Sequence, residues 1–114
     1  MQGTRPDLAY PVSLCSRFLA RPTATHMGLA KGVLRYLKDA TDLGITYRRD
    51  CAENLIAYTD SNYQDKMLSG DKRSISGYRL YLAEGLISWS SRQQHCVTTS
   101  STEAEYIGQA NAIK

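Results

Sequence analysis

Residues 76–90, Ser-Gly-Tyr-Arg-Leu-Tyr-Leu-Ala-Glu-Gly-Leu-Ile-Ser-Trp-Ser, carry the pattern on which the fold reading turns. From Ser76 to Leu82 the chain alternates. Tyr78, Leu80 and Leu82 fall on one face, with Arg79 and Tyr81 on the other, the period of a half-buried strand. Glu84-Gly85 is a turn signal. Leu86 to Ser90 then resumes as a second strand, with Ile87 and Trp89 expected on one face.

Working upstream, Leu55 to Asp60 reads as another strand, preceded by a polar turn at Arg48 to Asn54. Between it and Ser76 the stretch Asn62 to Arg73 is polar, holds Gly70 and several charges, and reads as a loop. Ile45-Thr46-Tyr47 is β-prone. Downstream, Arg92 to His95 is polar and Val97-Thr98-Thr99 resumes β character. Ser100–Glu103 and Thr102–Glu105 both fit the capping pattern Ser/Thr-x-x-Glu. A helix is therefore expected from about Ser101, with Ala104, Ile107, Ala110 and Ile113 on one stripe.

The front of the chain reads as helical. Arg5-Pro6-Asp7 is a plausible entry with Asp7 as N-cap, followed by Leu8, Tyr10, Val12, Leu14, Cys15, Phe18 and Leu19 as apolar positions. Pro11 fits only near a helix start, because deeper inside it removes a backbone hydrogen bond. Arg21-Pro22 closes this element. A second helix is expected from about Thr25 to Lys38, with Met27, Ala30, Val33, Leu34 and Leu37 as a core-facing stripe. Asp39 to Gly44 reads as a turn, with Leu43-Gly44 as a C-terminal stop signal. The reading is thus a mixed α+β (α/β) chain, with a helical pair in residues 1–44 and strands followed by a helix in 45–114.

Composition narrows the class. With 114 residues the chain suffices for one small domain, and 42% apolar with 22% charged residues is ordinary globular composition. No apolar run approaches the ~20 residues that span a bilayer. The N-terminus lacks the basic-then-apolar layout of a signal peptide, so the expectation is a soluble, intracellular, cytoplasmic protein with no membrane partner. Cys15, Cys51 and Cys96 are widely separated and lack CxxC spacing, which argues against a disulfide framework and a zinc site. His26 and His95 are isolated and read as surface or packing residues. Residues 1–50 hold eight Lys/Arg against four Asp/Glu, and residues 51–114 six against seven. The basic front half suits contact with a polyanion, though solvated helix faces explain it equally well.

Two stretches carry chemistry: Tyr58-Thr59-Asp60-Ser61-Asn62-Tyr63 and Ser100-Ser101-Thr102-Glu103-Ala104-Glu105-Tyr106. Asp60 ends an apolar strand and Glu105 lies one turn into a helix. A strand-end Asp and a first-turn Glu from distant segments can meet over one divalent ion, since carboxylate and water oxygens are what Mg²⁺ prefers. Taken singly, each has a plainer role. Such an Asp caps a turn, and a first-turn Glu meets the helix dipole. For Glu103 the plainer role, capping, is the expectation. Lys72, Arg73 and Arg92 are candidate contacts to a nucleic-acid backbone. Trp89 and Tyr78 read as core.

The order Thr-Arg-Pro-Asp-Leu-Ala-Tyr (4–10), Leu-Arg-Tyr-Leu-Lys (34–38), Tyr-Thr-Asp-Ser (58–61), Arg-Ser-Ile-Ser-Gly-Tyr (73–78), Ile-Ser-Trp-Ser-Ser (87–91) and Ser-Ser-Thr-Glu-Ala-Glu-Tyr (100–106) resembles the copia-type retrotransposon polyprotein. The match runs from the end of the reverse transcriptase into the ribonuclease H domain. Each motif is weak alone, but six in order across nearly the whole chain are specific. The resemblance implies that residues 1–44 connect polymerase to nuclease. It also implies that 45–114 form the antiparallel three-strand half of a ribonuclease H-like fold and the start of its first helix.

The implied activity is hydrolysis of the RNA strand of RNA–DNA hybrids with Mg²⁺ or Mn²⁺, with Asp60 and Glu105 as catalytic metal ligands. In two-metal hydrolysis, ions ~3.5–4 Å apart activate the attacking water and stabilise the leaving oxygen. One Asp–Glu pair is a poor clamp for both. The family's further carboxylates would fall beyond Lys114. The expectation is therefore a polyprotein fragment that is inactive or nearly so alone, with one sheet edge left open. The alternative of another class is a non-enzymatic remnant that binds nucleic acid through its basic front half or has no function. Pro11 and Tyr63 depart from the family's usual residues, and neither touches the carboxylates.

Overall fold

The computed structural model describes residues 4–63 and 72–114. The loop expected over 62–73 therefore lies mostly outside the described residues. Three helices and a three-stranded antiparallel sheet make an α+β chain. Two compact units divide it, one reaching Ile45 and the other starting at Thr46.

In the first unit a 3-10 turn, Pro6–Leu8, leads into α1, Ala9–Ser16, and α2 spans Ala24–Asp39. Pro11 is the third residue of α1, where its missing N–H belongs to the first-turn donors that have no helical partner. The expected cap at Asp7 is not formed. Asp7 instead accepts from Arg5 Nε at 3.0 Å and Nη2 at 2.7 Å. That pairing holds the Asp7 carboxyl down at about 2. Arg5 also donates to the Ala40 carbonyl at 3.0 Å, beside the end of α2. Ala40 leaves helical geometry at φ −126° and ψ 43°, so α2 stops at Asp39, one residue past the expected end at Lys38 and before the turn expected over 39–44.

Thr23 caps α2, its hydroxyl accepting from the His26 N–H, while the Thr23 N–H donates to His26 Nδ1 at 3.1 Å. His26 also stacks on Phe18 with ring centroids 3.8 Å apart. Leu8 and Leu14 are the buried apolar residues of this unit. No residue of α2 is buried, and Met27 and Leu34 stay exposed. The stripe expected to pack as core is only half covered.

The second unit is built on β1, Leu55–Asn62, β2, Ile75–Leu82, and β3, Gly85–Gln93, in the order β1-β2-β3. β2 and β3 are joined through Ala83 and Glu84, whose φ values of 48° and 62° are both left-handed. Tight hairpin turns that match strand twist need this backbone, and Asn-Gly ordinarily supplies it at less steric cost. The β2–β3 register is continuous except that Leu80 opposes Ser88 while Tyr81 opposes Leu86. Ile87 is thus the extra residue of a β-bulge, which moves it off the Trp89 face. The expected Ile87–Trp89 face is wrong for that reason. Trp89 is buried and Ile87 exposed.

The two outlying β-prone stretches are not strands. Tyr47 is fixed by its side chain, its hydroxyl donating to the Leu86 carbonyl at 2.8 Å and its ring lying over Gly85. Thr98 is fully buried through a 2.9 Å hydroxyl contact with Ser74. Side-chain hydrogen bonds, not ladder bonds, order both segments.

α3, Ser101–Ile113, begins where expected. Ser100 Oγ accepts from the Glu103 N–H at 3.1 Å. It packs on β1 and β2, and Ala104 and Gly108 are its buried residues. A Cβ at Gly108 would collide with Ser61 Oγ, so only glycine lets the helix approach this closely. The contact is polar. Ser61 Oγ donates to the Ala104 carbonyl at 3.0 Å, and Gln94 Nε2 donates to the same carbonyl at 2.9 Å and to Ser76 Oγ at 2.6 Å. The buried apolar residues described in this unit are Ile75, Leu86, Trp89 and Ala104.

Candidate metal centre

The Ser61–Ala104 hydrogen bond brings two segments of distant sequence together, and a carboxylate flanks it on each side. Asp60 precedes Ser61 on β1, and Glu105 follows Ala104 on α3. Asp60 is exposed, and its cross-strand partner is Gly77, which has no side chain to crowd the carboxylate. β1 is an edge strand of the sheet, so Asp60 has a strand neighbour on one side only.

Helix geometry fixes the flank on which Glu105 lies. Successive residues turn by roughly 100° about the axis. Ala104 and Gly108 face the sheet, while Tyr106 at 73% and Ile113 at 86% exposure face solvent. Asn111 and Lys114 line a cleft with the β3 residues Ser90, Arg92 and Gln93, so that flank of α3 looks toward β3. Glu105 lies about 100° from Ala104 in the other sense, on the β1 flank. It is half-buried.

Glu103 lies on neither account near Asp60. Its carboxylate accepts from the Thr99 N–H at 2.7 Å and the Thr99 hydroxyl at 2.9 Å. Those bonds, led by the backbone one, hold its pKa below the usual carboxylate range. Glu103 closes the helix start, and Glu105 has no hydrogen bond or ion pair to a described residue. The same holds for Asp60. The alternation of β1 turns Asp60 away from the face that carries Ser61 and α3, and no direct bond joins the two carboxylates.

The donors are hard oxygens, which suits Mg²⁺ or Mn²⁺ in kind. In number they are few. Among the described residues no group of three or more His, Cys, Asp or Glu side chains is arranged to hold a metal ion. For Asp60 and Glu105 to share an ion, the Asp60 carboxylate would have to reach around the open edge of β1 to the α3 side, with water completing the shell. The chemistry such an ion supplies is activation of water and stabilisation of an oxyanion.

The three basic residues lie at the open end of the β2–β3 hairpin. Arg92 opposes Ser76, and Lys72 and Arg73 run into the start of β2. Lys72 and Arg92 are exposed and Arg73 is half-buried. At this end the Gln94 N–H donates to the Ser74 carbonyl at 2.8 Å, extending the pairing past β3.

Gln94, which ties α3 to β2, had no periodic or motif signal in the sequence. His95 looked isolated and yet borders the cleft with Arg92 and Lys114. Among the described residues no helix is long and apolar enough to cross a membrane.

Comparison with known proteins follows the whole length of the chain. It is 39% identical over 114 residues to the secreted RxLR effector protein 161 of Plasmopara viticola, covering 100% of this chain and 79% of that protein. It is 43% identical over 108 residues to the retrovirus-related Pol polyprotein from transposon RE2 of Arabidopsis thaliana, covering 95% of this chain and 7% of the polyprotein. A putative transposon Ty5-1 protein of Saccharomyces cerevisiae is 37% identical over 110 residues, which is 96% of this chain and 35% of that protein. The chain thus spans a small part of the polyproteins it matches. No family model and no solved structure matches it.

Proposed function

The chain belongs to the copia-type retrotransposon polyprotein family, and from that premise we propose that its second unit is the opening part of a ribonuclease H-like nuclease domain. In this reading Asp60 and Glu105 are two of the carboxylates that hold Mg²⁺ or Mn²⁺ for hydrolysis of the RNA strand in an RNA–DNA hybrid. Residues 1–44 are the connection from the reverse transcriptase. The observation that carries the reading is the position of Asp60 and Glu105 on either side of the Ser61–Ala104 hydrogen bond. The antiparallel order β1-β2-β3 followed by a helix supports it.

The roles of this chain's own residues follow from that arrangement. Ser61, Gln94 and Gly108 set the helix against the sheet and so fix the spacing of the two carboxylates. Glu103 holds the helix start through Thr99 and is not a ligand. Lys72, Arg73 and Arg92 meet the phosphates of the hybrid, which positions it without reading sequence. Two carboxylates form a weak clamp, so these 114 residues alone give at most a trace of turnover.

The test is binding of a labelled RNA–DNA hybrid with and without Mg²⁺, with strand cleavage as a second readout. Mg²⁺ should strengthen binding by the wild-type chain and not by Asp60→Asn or Glu105→Gln. Binding indifferent to Mg²⁺ and to both substitutions would overturn the proposal. Cleavage at the rate of an efficient nuclease would overturn its claim that two carboxylates suffice only weakly.

A second reading, non-enzymatic binding of nucleic acid, is favoured by the cluster of Lys72, Arg73 and Arg92 at one end of the hairpin. It differs in expecting salt-sensitive, metal-independent binding that survives Asp60→Asn.

A further inference from the structure

We infer that the groove between α3 and the edge strand β3 is a binding site for a phosphate group, separate from the carboxylate pair on the other flank of α3. The groove has a volume of about 230 Å³. Arg92, His95 and Lys114 bring two cations and an imidazole to it, and the hydroxyls of Ser90 and Tyr78 supply further donors. Among the described residues no Asp or Glu lines it. The three basic side chains have no ion pair or hydrogen bond to any described residue, so their donors are free for a ligand. Elsewhere in the chain, by contrast, Arg5 and Arg48 have carboxylate partners.

The carboxylates of α3 do not neutralise the groove. Glu103 is bound to Thr99 at the far end of the helix, and Glu105 lies on the opposite flank. Both side walls are also well anchored. Gln94 is 3% exposed and tied to Ser76 and Ala104, and the Tyr78 hydroxyl meets Ser88 Oγ at 3.4 Å. Guanidinium and ammonium groups around hydroxyl donors are what a phosphate oxygen recruits. Two sources of that chemistry exist, free inorganic phosphate and the phosphodiester backbone of a nucleic acid. The site uses none of the carboxylates, and it shares only Arg92 with the proposed hybrid contact.

The experiment is an amide NMR titration of the 114-residue chain, once with inorganic phosphate and once with a short single-stranded oligonucleotide, against a sodium chloride control. With phosphate, the amides of Ser90, Arg92, His95 and Lys114 should shift together. Arg92→Ala with Lys114→Ala should weaken the affinity about tenfold or more, the scale of a lost charge-assisted hydrogen bond. Arg79→Ala, on the other face of β2, should leave it unchanged. Arg92→Gln, which keeps the length of the side chain, should show the same loss and serves if the double variant folds poorly. Shifts with free phosphate alone assign the site to a free anion. Shifts with the oligonucleotide that also need Arg92 and Lys114 assign it to nucleic acid. Absence of shifts in both titrations, or shifts that persist in the double variant, would overturn the inference.

Discussion

The two flanks of α3 carry opposite charge on one support. Toward β1 lies Glu105, with Asp60 on the neighbouring edge strand, and neither has an ion pair with a described residue. Toward β3 lie Arg92, His95 and Lys114, with no Asp or Glu among the described groove residues. Between them runs a neutral seam of Ser61, Ser76, Gln94, Ala104 and Gly108. The opposite charges could have paired across the helix and been spent on stability. Instead the helix keeps them apart, so each flank stays available to a counter-ion from solution. A surface ion pair would have contributed little stability in any case.

The most disruptive way to break this comparison is to lift the helix. Gly108→Val drives two methyl groups against Ser61 and Ser76, and overpacking of this kind costs about 1–3 kcal/mol. Thermal unfolding should show a clear drop in Tm, and both flanks should lose their ligands together. Gln94→Leu keeps volume but strands the Ala104 carbonyl and Ser76 hydroxyl on one side. The expected cost is about 1–2 kcal/mol, read by urea unfolding. It should weaken phosphate binding more than metal binding, because Ser61 still holds the β1 flank.

A third change sharpens the comparison by leaving both flanks alone. Replacing Ala83-Glu84 by Asn-Gly relieves two left-handed residues at the far end of the hairpin. Stability should rise by about 1 kcal/mol. The exposed contacts of Glu84 with Cys51 and Arg48 are a small loss against this. Phosphate and metal affinities should not move.

The smallest effect concerns the first unit. Asp7 titrates at about 2, below its ordinary 3.8, because of its hydrogen bonds with Arg5. The pair's contribution is therefore present above pH 3.8 and is lost as pH falls through about 2. Asp7→Asn should remove that portion of the acid dependence, monitored by helical circular dichroism. The charge of the two flanks should be unaffected near neutrality.

The elements around the carboxylates were legible because their signals are local. Alternation at 76–82 marks β2, and Ser-x-x-Glu marks the start of α3. The capping role of Glu103 was also readable, and Thr99 supplies its partner. What escaped depends on partners distant in sequence. The bulge at Ile87 follows from fitting β3 around Leu86 and Tyr81, and no feature of Leu-Ile-Ser-Trp announces it. Gln94 is buried because Ala104 and Ser76 meet there, ten and eighteen residues away. His95 joins the groove only once α3 folds back over β1 and β2. α2 shows the converse. Its apolar stripe was readable, but amphipathic spacing does not say how fully a face is covered, and this one is half open.

The central claim is that Asp60 and Glu105 act as one cation site. Mn²⁺ titration followed by paramagnetic broadening of assigned amide signals tests it most directly. The account predicts that signals around Asp60 and Glu105 fade together at the lowest Mn²⁺ additions. Asp60→Asn and Glu105→Gln should each abolish the fading at both places. Fading centred elsewhere, or at one carboxylate while the other is indifferent to both substitutions, would contradict it.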